Sequence, residues 1–97
     1  MSTAFIPKFE TAKTLSATST TGSTTLAPEC PQVRIKNAGP NDAFVVWGKG
    51  TQTALATHMA IGAGTIECFT KQDAETIAAI CASGQTATLQ IICGTGD

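Results

Sequence analysis

Residues 32–48, QVRIKNAGPNDAFVVWG, read as two β-strands joined by a dense turn signal. Val33 and Ile35 alternate with Arg34 and Lys36, the period-two pattern of a half-buried strand over Gln32–Asn37. Ala38-Gly39-Pro40-Asn41-Asp42 then concentrates the residues that break regular structure and favour turns. Ala43–Gly48 follows, and its Phe44-Val45-Val46-Trp47 run is apolar on both faces. Such a strand is central in a packed sandwich, or its second face is covered by another subunit. Val45 and Trp47 are assigned to the inner face. Phe44 and Val46 are then left for a neighbouring subunit, or the N-terminal arm, to cover.

The same alternation of runs and turns continues downstream. Gly48-Lys49-Gly50 turns the chain, and residues 51–61 are weakly patterned, a loop with a short strand. Gly62-Ala63-Gly64 precedes a strand over Thr65–Thr70, in which Ile66 and Cys68 share one face, opposite Thr65, Glu67 and Phe69. The last runs, Glu75–Cys81 and Gln85–Cys93, read as a hairpin. A three-residue loop, Ala82-Ser83-Gly84, suits a type I turn closed by Gly in the left-handed conformation. It would pair Cys81 with Gln85, Ala79 with Ala87 and Ile77 with Leu89, which gathers the apolar side chains on one face. Ala-rich residues 73–83 also fit a short helix, but Thr76, Ile77, Ile80 and Cys81 are modest helix formers and strand is preferred.

Upstream the texture changes. Residues 11–25, TAKTLSATSTTGSTT, hold ten Ser or Thr in fifteen positions. Such a composition buries too little surface to fold alone, yet it tolerates an extended conformation well. Before it, Phe5, Ile6 and Phe9 form a small apolar cluster, kept extended by Pro7. These side chains are odd choices for a solvated tail and suit a partner-binding segment, as do Phe44 and Val46. The organisation expected is an extended Ser/Thr-rich arm over residues 1–28, with residues 19–27 a candidate first strand, and a β-domain over 29–97. Short strands and regularly spaced turns with no clear helix predict an all-β fold, a small antiparallel β-sandwich or jelly-roll-like domain with an extended N-terminal arm.

Composition narrows the function. Apolar residues are 42% of the 97, but many are Ala and aromatics are only 5%. A core of that kind is marginal at this length, which favours self-association or docking on a larger partner. The net charge is −1, and no dense Lys/Arg patch marks a nucleic-acid partner. No apolar run approaches the ~20 residues that span a bilayer. The opening MSTAFIPKFETAK lacks a secretory apolar core, so synthesis in a reducing cytosol is expected.

Catalytic and metal-binding chemistry is not evident. Cys30, Cys68, Cys81 and Cys93 form no closely spaced ligand pair, and three of them sit in apolar runs where free Cys acts as a small buried hydrophobe. Cys68 and Cys81 are expected to be buried. Gly62-Ala63-Gly64-Thr65-Ile66-Glu67 has Glu where a dinucleotide fingerprint has its third Gly, and a strand rather than a helix follows. Gly48-Lys49 lacks the rest of a phosphate-binding loop. His58 is the lone histidine and reads as a surface or loop residue rather than a base. Glu67, Asp73 and Glu75 read as solubilising charges, and Trp47 as core rather than a ligand platform. Neither enzyme nor cofactor is expected.

Val33–Gly48, VRIKNAGPNDAFVVWG, followed by IGAGTIECFT and TIAAICASGQTATLQIICGTG, resembles small β-sandwich structural virion proteins of tailed bacteriophages. The shared order is a basic-apolar strand ending in Asn-x-Gly, an aromatic strand, a Gly-turn strand, an Ile/Ala-rich strand and a Gly/Thr-rich C-terminal strand. Val46 departs from it, standing where a polar outward residue is expected. The resemblance implies a virion component made in the host cytoplasm, most simply a capsid decoration or cement protein. Its partners would be the major capsid protein or other virion subunits, with a homo-oligomer on the particle. A head–tail connector or tail component is the alternative within that group. A carbohydrate-binding β module with Trp47 as its platform is the alternative from another class.

Overall fold

Period-two alternation of burial builds the two longest elements of the fold, Gln32–Pro40 and Ala87–Thr95. The computed structural model describes residues 5–95, arranged as β1 (Ile6–Pro7), a 3₁₀ turn (Phe9–Thr11), β2 (Lys13–Ala17), β3 (Gly22–Thr25), β4 (Gln32–Pro40), β5 (Ala43–Gly48), β6 (Met59–Ile61), β7 (Ile66–Thr70), β8 (Thr76–Ile80) and β9 (Ala87–Thr95). Two antiparallel sheets result. One is five-stranded, ordered β1-β9-β4-β7, with β2 also on the β1 edge of β9; the other is four-stranded, ordered β3-β8-β5-β6. The fold is the expected small all-β sandwich.

Directly opposed residues of an antiparallel pair share a face, so the register identifies the core. Val33, Ile35, Leu89, Ile91 and Cys93 line the inner face of the five-stranded sheet. Val45, Ile77 and Ala79 line that of the four-stranded sheet, joined by Ile61 from β6. Each Val, Leu or Ile so buried contributes roughly 1.5–3 kcal/mol. Trp47 packs against this core and tilts onto Phe69 of β7, ring centroids 5.1 Å apart. That contact joins the two sheets at their β6/β7 side, on the inner face assigned to Trp47 from sequence.

The β4–β5 turn carries the chain from one sheet to the other. Asn37 is fully buried, and its side chain replaces a missing ladder there. Its Nδ2 donates to the carbonyls of Asn41 and Ile61, each at 2.9 Å, and its Oδ1 accepts from the Gly39 amide at 2.8 Å. Gly39 has φ +88°, a conformation that suits glycine.

Three expectations need correction. The first is the β8–β9 hairpin. Ala82-Ser83-Gly84 does turn, with the Gln85 amide donating to the Ala82 carbonyl at 3.0 Å and Gly84 at φ +76°. But β8 pairs with β3 and β5, whereas β9 pairs with β4, β1 and β2. The two strands therefore face each other across the core instead of pairing edge to edge. In a hairpin their apolar faces would still need a second sheet to cover them; as an arch they cover each other.

The second concerns the N-terminal segment. Within residues 1–28, β2 pairs with β9 from Lys13↔Ile91 to Ala17↔Ala87, and β3 pairs with β8 from Gly22↔Ala79 to Thr25↔Thr76. Leu15, Ala17 and Leu26 are buried in the common core. The Ser/Thr-rich stretch is thus laid into both sheets of its own chain, not extended away from it. Only Phe5–Ala12 keeps the character of an appended segment.

The third is Cys68, which is exposed, while Cys30, Cys81 and Cys93 are buried and all four are free thiols. Cys68 and Ile66 point outward from β7 because Phe69 takes the inward position opposite Val33.

Candidate partner-binding surface

The residues expected to contact a partner fall into two separate places. Phe5, Ile6 and Phe9 lie along the end of β9. β1 adds only two pairs to that strand, Ile6↔Thr95 and Pro7↔Gly94. Gly94 is buried because the backbone of Ile6 and the ring of Phe5 pass directly over its Cα. The Lys8 amide donates to the Cys93 carbonyl at 2.8 Å. Thr11 then substitutes for the lapsed ladder, its Oγ1 accepting from the Cys93 amide at 2.9 Å and donating to the Lys8 carbonyl at 2.7 Å.

Fixed in this way, the segment presents large apolar groups to water. Phe9 is 77% exposed and Ile6 56%. Phe5 is half-buried. Lys8 anchors the segment from below through Glu29, Nζ to Oε1 at 3.0 Å. That hydrogen bond holds the Lys8 ammonium above its ordinary pKa. The Glu29 carboxyl lies below its ordinary value, first through its own backbone amide and then through Lys8. The tie thus persists across the neutral range, fading in acid as Glu29 protonates and in strong base as Lys8 loses its proton.

Phe44 and Val46 lie elsewhere, on the outward face of the four-stranded sheet, opposite Ile80 and Ala78 of β8. Both are half-buried. Part of this face is covered by the chain itself. The Ala54 amide donates to Thr21 Oγ1 at 2.9 Å, and Thr21 precedes β3, on the far side of β8 from β5. The connection 49–58 therefore crosses the outward face, which accounts for the burial of both Ala54 and Ala78 outside the inter-sheet cluster. The signal for this was the length of the weakly patterned stretch, too long for a tight hairpin loop.

Lys71 is the residue that sequence reasoning missed. It is 4% exposed, and its Nζ donates to the carbonyls of Ala27, Ala74 and Gln72. No pattern in the sequence announces an ammonium satisfied by backbone carbonyls alone.

The remaining candidates stay apart. His58 Nδ1 accepts the Leu55 amide at 2.9 Å, an arrangement internal to its loop. Among the described residues no group of three or more His, Cys, Asp or Glu side chains is placed to hold a metal ion. No helix there is long and apolar enough to cross a membrane. No family model matches the chain, and no curated protein or solved structure matches it either.

Proposed function

We propose that this chain is a structural subunit of a multi-copy particle, a decoration or cement protein on the capsid shell of a tailed bacteriophage. The observation that carries the reading is the pair Ile6 and Phe9, displayed to solvent on a segment that the body holds in place. Exposed aromatic and branched side chains on an ordered edge fit burial against another protein better than hydration. In this reading they insert into grooves between shell subunits, and the sandwich sits above as a rigid body. Phe44 and Val46 have a lesser part, since they are half-buried on a face that the chain partly covers. Many weakly bound copies would act together on one particle through avidity. Trp47 does not favour the carbohydrate alternative, because its ring is engaged with Phe69 and the core.

Co-sedimentation of the full chain with capsid shells of the source phage tests this. The chain is expected to travel with the shells, and Ile6→Ser with Phe9→Ser to remain at the top of the gradient with unchanged circular dichroism. Equal co-sedimentation of the double variant would remove the role of the segment. A native chain that never travels with shells would remove the decoration reading itself.

A further inference from the structure

The basic side chains divide into two groups. Lys8 pairs with Glu29, Lys49 pairs with Asp73 at 3.3 Å, and Lys71 is held by three carbonyls. Lys13, Arg34 and Lys36 form no hydrogen bond or ion pair among the described residues, and all three are exposed. Two of them share a face. Arg34 and Lys36 project from the outward face of β4, beside a shallow groove lined by Thr14, Gln90 and Ile92, whereas Lys13 stands opposite inward-facing Ile91 at the open edge of β2.

The surroundings give this cluster a definite chemistry. Register sets Arg34 between Ile92 of β9 and Cys68 of β7, and Lys36 between Gln90 and Ile66. Ile66 is 47% exposed. The outward positions of β2, β9, β4 and β7 include no Asp or Glu. A solvated sheet face ordinarily intersperses both signs, whereas this one carries cations and isoleucines on a protein of net charge −1. Cations of one sign interleaved with apolar side chains are complementary to a surface of carboxylates. Four strands at ~4.8 Å spacing and a nine-residue strand at ~3.3 Å per residue span roughly 19 by 30 Å. Because β2 and β7 are only five residues long, the flat area is about 440 Å², below the ~800 Å² each partner contributes to a standard interface and on the scale of a weak, transient one.

We infer that the outward face of the five-stranded sheet is a docking surface for a carboxylate-bearing protein surface. Arg34 and Lys36 meet acidic side chains, and Ile66 and Ile92 supply the apolar contact between them. A nucleic acid fits less well, because two cations neutralise few phosphates and the face holds no aromatic on which a base could stack. The inference concerns a different face from the N-terminal segment and does not depend on the partner being a capsid.

Heteronuclear NMR titration of the full chain with a hexaglutamate peptide tests it, with a short DNA duplex as the competing probe. The peptide is expected to shift the amides of Arg34, Lys36, Cys68 and Ile92 in a saturable way. Affinity should fall about tenfold or more in Arg34→Glu with Lys36→Glu, and fall also on going to about 0.15 M salt. Lys49→Glu, on a remote ion pair, should leave it unchanged. Shifts that are absent or centred on another face would overturn the assignment. A duplex that shifts the same amides with equal or greater affinity would also overturn it, in favour of nucleic acid.

Discussion

The ammonium of Lys71 donates to the carbonyl of Ala27 at 2.7 Å, tying together two loops 44 residues apart in sequence. The same Nζ reaches Ala74 at 2.9 Å and Gln72 at 3.3 Å, so all three of its protons are directed at backbone oxygens. No carboxylate bonds it directly, although Glu29 lies near enough to feel its charge. The ammonium is held by carbonyl dipoles in a nearly buried site.

Lys71→Met keeps most of the aliphatic stem and removes the donors. At the junction of the β3–β4 and β7–β8 loops the carbonyls of Ala74 and Gln72 then lose the ammonium, and that of Ala27 keeps only the Cys30 amide. The expected cost is about 2–4 kcal/mol of unfolding free energy, the range for buried acceptors left unsatisfied. Urea denaturation measures it, with the slope unchanged because the same surface is exposed on unfolding. A loss under about 1 kcal/mol would mean that water replaces the ammonium without strain.

Gly94→Ala tests how the N-terminal segment is seated. A Cβ at Gly94 would run into the carbonyl of Ile6 and lie 2.9 Å from the ring of Phe5. Since that obstacle is backbone, β1 must lift. Hydrogen exchange is expected to show loss of protection at the Lys8 amide, which bonds Cys93, with protection retained across the β2–β9 and β4–β9 pairs. The global cost should stay near ~1–2 kcal/mol, because only a two-residue strand is displaced. Lost protection throughout the sheet would show that β1 is integral to the sandwich.

Thiol reactivity follows burial. Cys68 is exposed on β7 and the other three thiols are buried. Burial also pushes the Cys30 and Cys81 thiols up from their ordinary pKa, which lowers the reactive thiolate fraction. With Ellman's reagent under native conditions one thiol should react quickly, and the others only on unfolding. Cys68→Ser should abolish the fast phase. No fast thiol would contradict the placement of Phe69, not Cys68, on the inner face of β7, and two would mean that one of the buried thiols is open to solvent.

Much of the fold was legible in local pattern. The alternation of Val33 and Ile35 with Arg34 and Lys36 identified β4 and its inner face, and Phe44–Trp47 identified β5. Asn37 and Gly39 marked the corner, although which carbonyls Asn37 would hold required Ile61 to arrive from β6. The candidate site was less legible. Phe5, Ile6 and Phe9 stood out as apolar residues in polar company. The basic face did not, because the absence of carboxylates around Arg34 and Lys36 depends on which strands, β9 and β7, flank β4.

The amino-acid order by itself determined the strands from β4 onward, most of the turns between them, and the apolar parity of β4 and β9, because those properties depend on neighbours within a few residues. Tertiary structure alone decided that β8 and β9 enter different sheets, that the Ser/Thr-rich stretch is woven into its own chain, that Cys68 faces water and that Lys71 does not. Period-two alternation is the same for a strand in a hairpin and one in an arch. Only competition among distant strands for the free edges of β8 and β9 distinguishes the two.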